Sequence, residues 1–417
     1  MTAIRSEPES PPELSLPSLA YQPDAVGPLA GVTVLDLTRH VSGGQLGLVL
    51  GDLGADVIKV EQPGKGDGLR RATVDGFDAY WRTYGRNKRS VTLDLRSERG
   101  REVFEQLLAQ ADVLTENFTP GVLEEIVGSM DELLARHPKL VVVRISGWGQ
   151  TGPRSRRPGF GTLAEAYSGF TYLNGTDDSA PLPPPLSLAD TVAGTYAASA
   201  AIAALFNVRA NGGSGQVIDI SLFEPLFSIM GPDSTMYAAT GARRYRGEGT
   251  KVSSVRGAFE TSDGEWIVIS AATPDIAARF FIGIGRQDVL EDERFATPHG
   301  RLQHRQELNQ ILAEEFAKRT RDELMVFAEE HRVTIGPVYN IVDIVDDDHY
   351  KARNSVVQMI EDDGETVVMP HPVPRFSKTP AAIRRAAPGI GQDNVDVYGE
   401  LGFTAEEIAE LTEQGVI

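Results

Sequence analysis

The first 150 residues alternate between short apolar runs and longer segments with helical spacing. Five runs rich in β-branched residues predict strands over 31–38, 56–61, 89–96, 112–118 and 140–149. The segments between them predict helices over 42–54, 97–111 and 121–138, the second with Ser97 as its N-cap. Strands that alternate with helices indicate βαβ units and a parallel sheet, so the pattern predicts an α/β protein.

The carboxyl ends of the predicted strands are the places where such a sheet binds ligands. Five loops follow from this rule: 39–44, 62–68, 95–97, 117–120 and 146–152. In the first loop, Gly43, Gly44 and Gly47 follow a strand, and Glu61 ends the next one, as in a dinucleotide-binding fingerprint. The spacing is G-G-x-x-G rather than G-x-G-x-x-G, so NAD binding is kept only as an alternative.

A long segment in the middle of the chain, residues 191–208, consists almost entirely of small and apolar residues and predicts a buried helix. Asp190 precedes it at the position of an N-cap. One interpretation is that Asp190 only caps the helix. The other is that the helix N-terminus stabilises an ionised carboxylate that attacks an electrophilic carbonyl. The spacing does not choose between them.

The later part of the chain mixes strand and helix patterns, which suits a smaller α/β domain. A strand is predicted within 262–271, an amphipathic helix over 307–319 and a hairpin over 356–372 that turns at Asp363-Gly364. The acidic run Asp346 to Asp348, followed by His349, is interpreted as a solvated helix end, and no metal site is predicted.

Composition narrows the function classes. The chain has 417 residues, enough for two or three domains, and no cysteine, which excludes disulfides, thiolate zinc sites and a cysteine nucleophile. With 40 basic and 59 acidic residues, the net charge of −19 disfavours nucleic-acid and membrane partners. A phosphate-bearing ligand then needs a local basic cluster. No export signal and no apolar run of membrane-spanning length is recognised, so we expect a cytoplasmic protein.

Six segments, in order, resemble class III CoA-transferases, the family of formyl-CoA transferase and carnitine CoA-transferase. They are LDLTRHVSGGQLGLVLGDLGADVIKVEQPGKGD, RNKRSVTLDLRSERG, ADVLTENFTPGVLE, ISGWGQTGPRSRRPGF, LADTVAGTYAASAAIAALF and GSGQVIDISLFEPL. Weaker likeness continues to the end, so the resemblance covers about residue 30 to 417.

The resemblance implies a homodimer of two ring-shaped subunits that interlock. Its large Rossmann-like domain would span 29–225, a small α/β domain 226–335, and a C-terminal segment 336–417 would return to the large domain. Residues 1–28, rich in Pro, Ser and Glu, would form a disordered or loosely draped extension. The implied substrates are an acyl-CoA and a small carboxylic acid, with no metal or prosthetic group as cofactor.

The same resemblance assigns the site. Asp190 matches the aspartate that attacks the acyl-CoA thioester, forming an aspartyl anhydride and then an aspartyl-CoA thioester. The predicted CoA-binding residues lie on the candidate loops or supply positive charge: His40, Val41, Ser42, Lys88, Arg89, Leu93, Asp94, Leu95, Arg96, Asn117 and Phe118.

Several positions depart from the family pattern. Gln62 and Glu125 stand where family members have phosphate-binding arginines, and 246–259 gives no clear match to the glycine-rich loop that covers the aspartate. An acyl-CoA racemase of the same superfamily is the nearest alternative. Racemases carry Gly-His-Asp where this chain has Gly159-Phe160-Gly161, so the histidine base is missing.

Overall fold

The computed structural model describes residues 12–247, 255–361 and 364–417. Within these ranges the strands are β1 Ser18–Leu19, β2 Thr33–Asp36, β3 Asp56–Glu61, β4 Lys88–Thr92, β5 Val113–Glu116, β6 Val141–Ser146, β7 Val217–Ser221, β8 Arg256–Glu260, β9 Trp266–Ser270, β10 Ile335–Pro337, β11 Val356–Ile360 and β12 Thr366–Pro370.

The α-helices of the same ranges are α1 His40–Asp52, α2 Ala79–Gly85, α3 Glu98–Gln110, α4 Val122–Val127, α5 Met130–Arg136, α6 Gly161–Tyr167, α7 Phe170–Leu173, α8 Leu188–Ala210, α9 Phe223–Ser228, α10 Asp233–Thr240, α11 Pro274–Gly283, α12 Gln287–Glu291, α13 Pro298–Gln303, α14 Arg305–Phe316, α15 Arg321–His331, α16 Ile341–Asp346, α17 Asp348–Ala352, α18 Asn394–Glu400 and α19 Ala405–Glu413. A 3₁₀ helix spans Gly68–Arg71.

The chain divides into two compact units. The first comprises Leu16–Tyr245 and Lys351–Ile417, and the second is built mainly on Arg246–Tyr350. The second unit therefore begins and ends later in the chain than the small domain predicted at 226–335. One reason is α9, which follows the last strand of the large sheet and packs against α8 through the fully buried Leu226.

A six-stranded parallel sheet organises the first unit, in the order β4-β3-β2-β5-β6-β7. The mixed α/β class with a parallel sheet is thus confirmed, and all five predicted strands are present. Val34 shows the register: it pairs with Val57 on one side and with Val113 on the other. The sheet buries both faces, as parallel sheets do. One face packs on α3 and the C-terminal residues, and the other on α1 and α8.

Helix α8 starts at Leu188, earlier than predicted, because Ala189 already packs in the core. Ser187 takes the N-cap position without a side-chain cap bond, and Asp190 is the third residue of the helix. The prediction that Asp190 is the N-cap is wrong. By length and composition alone this helix could cross a membrane, which corrects the expectation that no run reaches that length. Its alanine-rich face, however, is buried against the sheet.

Local differences from the prediction have simple causes. Helix α1 begins at His40, so the three glycines of the supposed dinucleotide fingerprint lie inside a helix rather than in a phosphate loop. The predicted helix over 121–138 is two helices, because Gly128 has a positive φ of 85° and interrupts it. Ser97 caps α3 as predicted, accepting a hydrogen bond from Gly100 N.

The N-terminal segment is partly ordered. Strand β1 pairs in parallel with β11, through Ser18 opposite Gln358. Residues 12–28 are therefore more structured than a loosely draped extension, and residues 1–11 lie outside the described residues. The predicted hairpin is formed by β11 and β12, although Asp363 at its turn also lies outside them.

The second unit contains an antiparallel sheet in the order β10-β9-β8. Its core joins residues of this sheet, among them Ile267 and Ile269, to α11, α14 and α15. The predicted strand and amphipathic helix of this region are confirmed as β9 and α14. Residues 248–254, within the segment 246–259 that gives no clear match to the family's glycine-rich loop, lie outside the described residues.

Candidate active site

A cavity of about 760 Å³ opens at the carboxyl edge of the six-stranded sheet, within the first unit. The loops after β2, β3, β4, β5 and β6 line it, which are the five loops that the topology rule selects. Nine of the predicted site residues line this one cavity: His40, Ser42, Leu93, Asp94, Leu95, Arg96, Asn117, Phe118 and Asp190.

Three predicted CoA-binding residues do not line the cavity. Val41 is buried in a small cluster with Leu69 and Trp81. Lys88 is buried beneath α1, with its Nζ 3.2 Å from Asp36 Oδ2. Arg89 pairs with two carboxylates, those of Asp56 and Glu400. Both cations are neutralised by the protein itself, so their binding to CoA phosphates stays a prediction that this placement disfavours.

The carboxylate of Asp190 is partly buried where α8 meets the start of α6. Gly161, the first residue of α6, is so close that a Cβ there would overlap with Asp190 Oδ2. The buried Glu165, one turn further along α6, accepts a hydrogen bond of 3.2 Å from Ala189 N and so fixes the first turn of α8. The glycine at 161 and the carboxylate at 165 together determine the surroundings of Asp190.

These surroundings perturb the ionisation of Asp190. Burial, and to a smaller extent the negative charge of Glu165, together raise the pKa of Asp190 to about 6, while a hydrogen bond from the backbone N–H of Asp190 itself opposes the shift. Among the described residues no Lys, Arg or His forms an ion pair with Asp190. Its carboxylate is ionised at neutral pH yet poorly solvated, which is the state of an activated nucleophile.

A second group of charges lies beneath α1, on strands β2, β3 and β4 and in the loop after β3. Asp36 faces both Lys59 and Lys88, at 3.6 Å and 3.2 Å. Lys59 also contacts Asp67 Oδ2 at 3.2 Å and donates to the carbonyl of Thr38. Burial alone would raise the pKa of Asp36, but the two lysines and Thr38 lower it to about 2. This network holds the first loop in place rather than presenting a reactive group.

The loops after β2 and β5 are joined to each other. Asn117 accepts a hydrogen bond of 2.8 Å from Arg39 N and donates one of 2.6 Å to Arg39 O. The guanidinium of Arg39 lies over the ring of Phe118, 5.7 Å from its centroid. Asn117 therefore has a structural role: it fixes the loop after β2, which is followed by His40 and Ser42 in the cavity lining.

Sequence reasoning missed four arginines that line the cavity without a carboxylate partner in the described part of the chain: Arg39, Arg101, Arg156 and Arg157. Arg96 shares this property. The signal was present as clusters, RSERGR at 96–101 and RSRR at 154–157, inside a chain of strongly negative charge. The sequence could not show which basic residues lack an acidic neighbour, because charge pairing depends on tertiary packing.

Comparison with known proteins identifies the family. Residues 29–394 match the sequence profile described as CoA-transferase family III. The chain belongs to this family. Succinyl-CoA--D-citramalate CoA-transferase of Chloroflexus aurantiacus is 36% identical over 396 residues, covering 94% of this chain and 98% of that protein. Human succinyl-CoA:glutarate CoA-transferase is 30% identical over 398 residues, covering 94% and 90%.

Solved structures agree with the assignment to family III. A CAIB/BAIF family protein from Brucella suis is similar with a TM-score of 0.79 at 32% identity, over 90% of this chain and 100% of that one. Because the curated relatives are CoA-transferases along nearly their whole length, the chain is an enzyme of this class. The NAD-binding alternative is also disfavoured by the position of its glycines inside α1.

Proposed function

We propose that the enzyme moves CoA from a short-chain acyl-CoA to a carboxylic acid through covalent intermediates on Asp190. The relatives named above act with succinyl-CoA on dicarboxylates, and we infer succinyl-CoA as donor and a short dicarboxylate as acceptor. The observation that carries the proposal is the carboxylate of Asp190, which lies in the cavity, forms no ion pair with a described basic residue, and has its pKa raised to about 6.

The proposed reaction exchanges acyl groups without a net change in bond types. An oxygen of Asp190 attacks the thioester carbonyl, a C–O bond forms, the C–S bond breaks, and CoA leaves as a thiolate. The thiolate then attacks Cγ of Asp190, releasing the donor acid and leaving an aspartyl-CoA thioester. The acceptor carboxylate attacks the same Cγ and expels the thiolate, which finally takes the acceptor acyl group and restores Asp190. No cofactor is required by these steps.

The cavity suggests how CoA lies. Leu93, Leu95 and Arg96 at the end of β4 form one end, and the loop after β6 forms the other. Asp190 contacts Gly161, which follows that second loop in the chain. Between β4 and β6 the sheet places β3, β2 and β5, so the two ends are about 19 Å apart at the usual strand spacing. We infer that the nucleotide of CoA binds near β4 and that its pantetheine arm crosses the loops after β2 and β5 toward Asp190.

Assembly and location follow the family resemblance. We propose a homodimer of interlocked ring-shaped subunits and a cytoplasmic enzyme. Interlocked subunits cannot separate while folded, so dilution to nanomolar concentration should leave the dimer intact, and dissociation should coincide with unfolding. Sedimentation at decreasing concentration measures this, and a folded monomer would refute the interlocked arrangement.

Trapping the covalent intermediate tests the chemistry. Protein incubated with succinyl-CoA and then treated with borohydride or hydroxylamine should carry a modification on the peptide around Asp190, located by mass spectrometry. Asp190→Asn should carry none and should lose CoA transfer, since the amide has no anionic oxygen, while binding of free CoA persists. Near-normal turnover by the Asn variant would remove Asp190 from the mechanism.

A further inference from the structure

Five arginines of the cavity form no ion pair within the described residues, and four of them lie in two groups at opposite ends. Arg96 and Arg101 lie at the β4 end, where Arg101 Nε donates to Leu95 O at 3.2 Å. Arg156 and Arg157 lie on the segment after β6. All four side chains are exposed, and none forms an ion pair within the described residues. A chain with a net charge of −19 thus leaves cations free at both ends of one cavity.

The second group, Arg156 and Arg157, lies on the segment that leads to the residues in contact with Asp190. Gly159 packs directly on Gly147, next to the end of β6, and Trp148 Nε1 donates to Pro158 O at 3.1 Å. Arg157 is two residues from Gly159, so their Cα atoms are at most about 7 Å apart. Two residues beyond Gly159, Gly161 touches the carboxylate of Asp190. The guanidinium groups therefore lie on the segment that borders the reacting carboxylate.

We propose that Arg156 and Arg157 bind the second carboxylate of the acyl group and so make the enzyme selective for dicarboxylates. This inference rests on the proposed function. Beside Asp190 the reacting part of the substrate is the acyl group, and the phosphates of CoA are proposed to bind at the β4 end, about 19 Å from the end of β6 by the strand spacing. A guanidinium binds a carboxylate through two parallel hydrogen bonds, and neither arginine has to break an ion pair with another described residue to do so.

A comparison of acceptors that differ in one carboxylate tests the assignment. Transfer is measured from butyryl-CoA, a donor without a second carboxylate, to glutarate and to pentanoate, which have equal chain lengths. The variant Arg156→Gln/Arg157→Gln should lose about 10- to 150-fold in kcat/KM for glutarate, the effect of hydrogen bonds to a charged group. Its kcat/KM for pentanoate should stay within twofold of the wild type.

Two control variants separate the ends of the cavity. Arg96→Gln/Arg101→Gln should raise the KM for butyryl-CoA equally with both acceptors. Arg99→Gln, which removes an exposed arginine paired with Glu102, should change neither constant. Equal losses for glutarate and pentanoate in the Arg156/Arg157 variant, or no loss for glutarate, would overturn the inference.

A binding measurement keeps the inference separate from the proposed function. Calorimetric titration of CoA-bound Asp190→Asn protein, which cannot turn over, should show glutarate binding more tightly than pentanoate. The preference should vanish when Arg156→Gln/Arg157→Gln is added. A preference that persists in that background overturns the inference. Absence of transfer by the wild type, with the binding preference intact, overturns the proposed function instead.

Discussion

Asp36 and Asp190 are two aspartates of the first unit whose surroundings shift their pKa values in opposite directions. Asp36 is fully buried, yet two lysines and the Thr38 hydroxyl stabilise its negative charge, and its pKa falls to about 2. Asp190 is only partly buried, but no cation among the described residues offsets its burial or the negative charge of the neighbouring Glu165, and its pKa rises to about 6. The counter-charge, rather than the depth of burial, decides which of the two is reactive.

The two aspartates also differ in role, since Asp36 stabilises the fold and Asp190 is the candidate nucleophile. Lys59 and Lys88 satisfy Asp36, so this carboxylate contributes to holding α1 and the loop after β2. Within the described ranges Asp190 has no such basic partner, so the desolvation of its charge lowers the stability of the folded protein. Residues that stay unsatisfied in the free protein are often those that act on a substrate.

The largest effect on stability is expected at Asp36. Replacing it with alanine leaves Lys59 and Lys88 buried without their shared carboxylate, and the free energy of unfolding should fall by about 3–5 kcal/mol. The matched control is Asp56→Ala, which breaks the more exposed pair with Arg89 and should cost at most about 1 kcal/mol. Urea unfolding at pH 7.5 measures both, and similar losses for the two variants would contradict the comparison.

At Asp190, removal of the charge is expected to raise the free energy of unfolding instead of lowering it. A carboxyl group whose pKa rises from 3.8 to about 6 on folding binds protons more tightly in the folded state. Below pH 3.8 this group does not affect the free energy of unfolding. Between pH 3.8 and 6 it lowers the free energy of unfolding progressively, and above pH 6 the loss is constant at no more than about 3 kcal/mol. Asp190→Asn should therefore unfold at higher temperature than wild type at pH 8, with a difference that disappears near pH 4.

Asp36→Asn serves as the control for this pH dependence. The pKa of Asp36 is lowered on folding, so its ionisation stabilises the protein above pH 3.8, and that contribution is lost as the pH falls toward 2. The Asn variant should be less stable than wild type at pH 8. A change of stability in the same direction for both Asn variants at pH 8 would contradict the claim that ionisation stabilises the fold at Asp36 and destabilises it at Asp190.

The sequence predicted the parallel sheet because apolar periodicity and β-branched runs report which segments are strands and helices. The topology rule then selected the five loops that line the cavity. Charge pairing could not be predicted in this way. Lys88 and Arg89 lie in a basic segment, RNKR, that resembles a phosphate site. Strands β2 and β3 and helix α18 bring the carboxylates of Asp36, Asp56 and Glu400 to them.

Asp190 shows a second limit. Its position before an apolar helix predicted a cap, whereas the helix begins two residues earlier and leaves the carboxylate in the first turn. Only the resemblance to a family indicated a catalytic role. The contribution of Glu165 had no local signal, because residue 165 approaches residue 189 only after α6 and α8 have packed together.

The smallest effect is expected at Glu165, and it concerns the pH profile. Glu165→Gln keeps an oxygen that can accept the hydrogen bond from Ala189 N but removes the charge that raises the pKa of Asp190. The acidic limb of kcat/KM for the acyl-CoA should move to lower pH by less than about one pH unit, because burial, the larger cause, is retained. At pH 8, where Asp190 is ionised in both proteins, the rate of Glu165→Gln should be close to that of wild type.

Glu165→Ala removes the hydrogen bond as well as the charge, so its kcat should fall at every pH. A normal kcat at pH 8 in Glu165→Gln, beside a low one in Glu165→Ala, would show that the hydrogen bond of residue 165 positions α8. An acidic limb that stays in place in Glu165→Gln would mean that Glu165 does not influence the ionisation of Asp190.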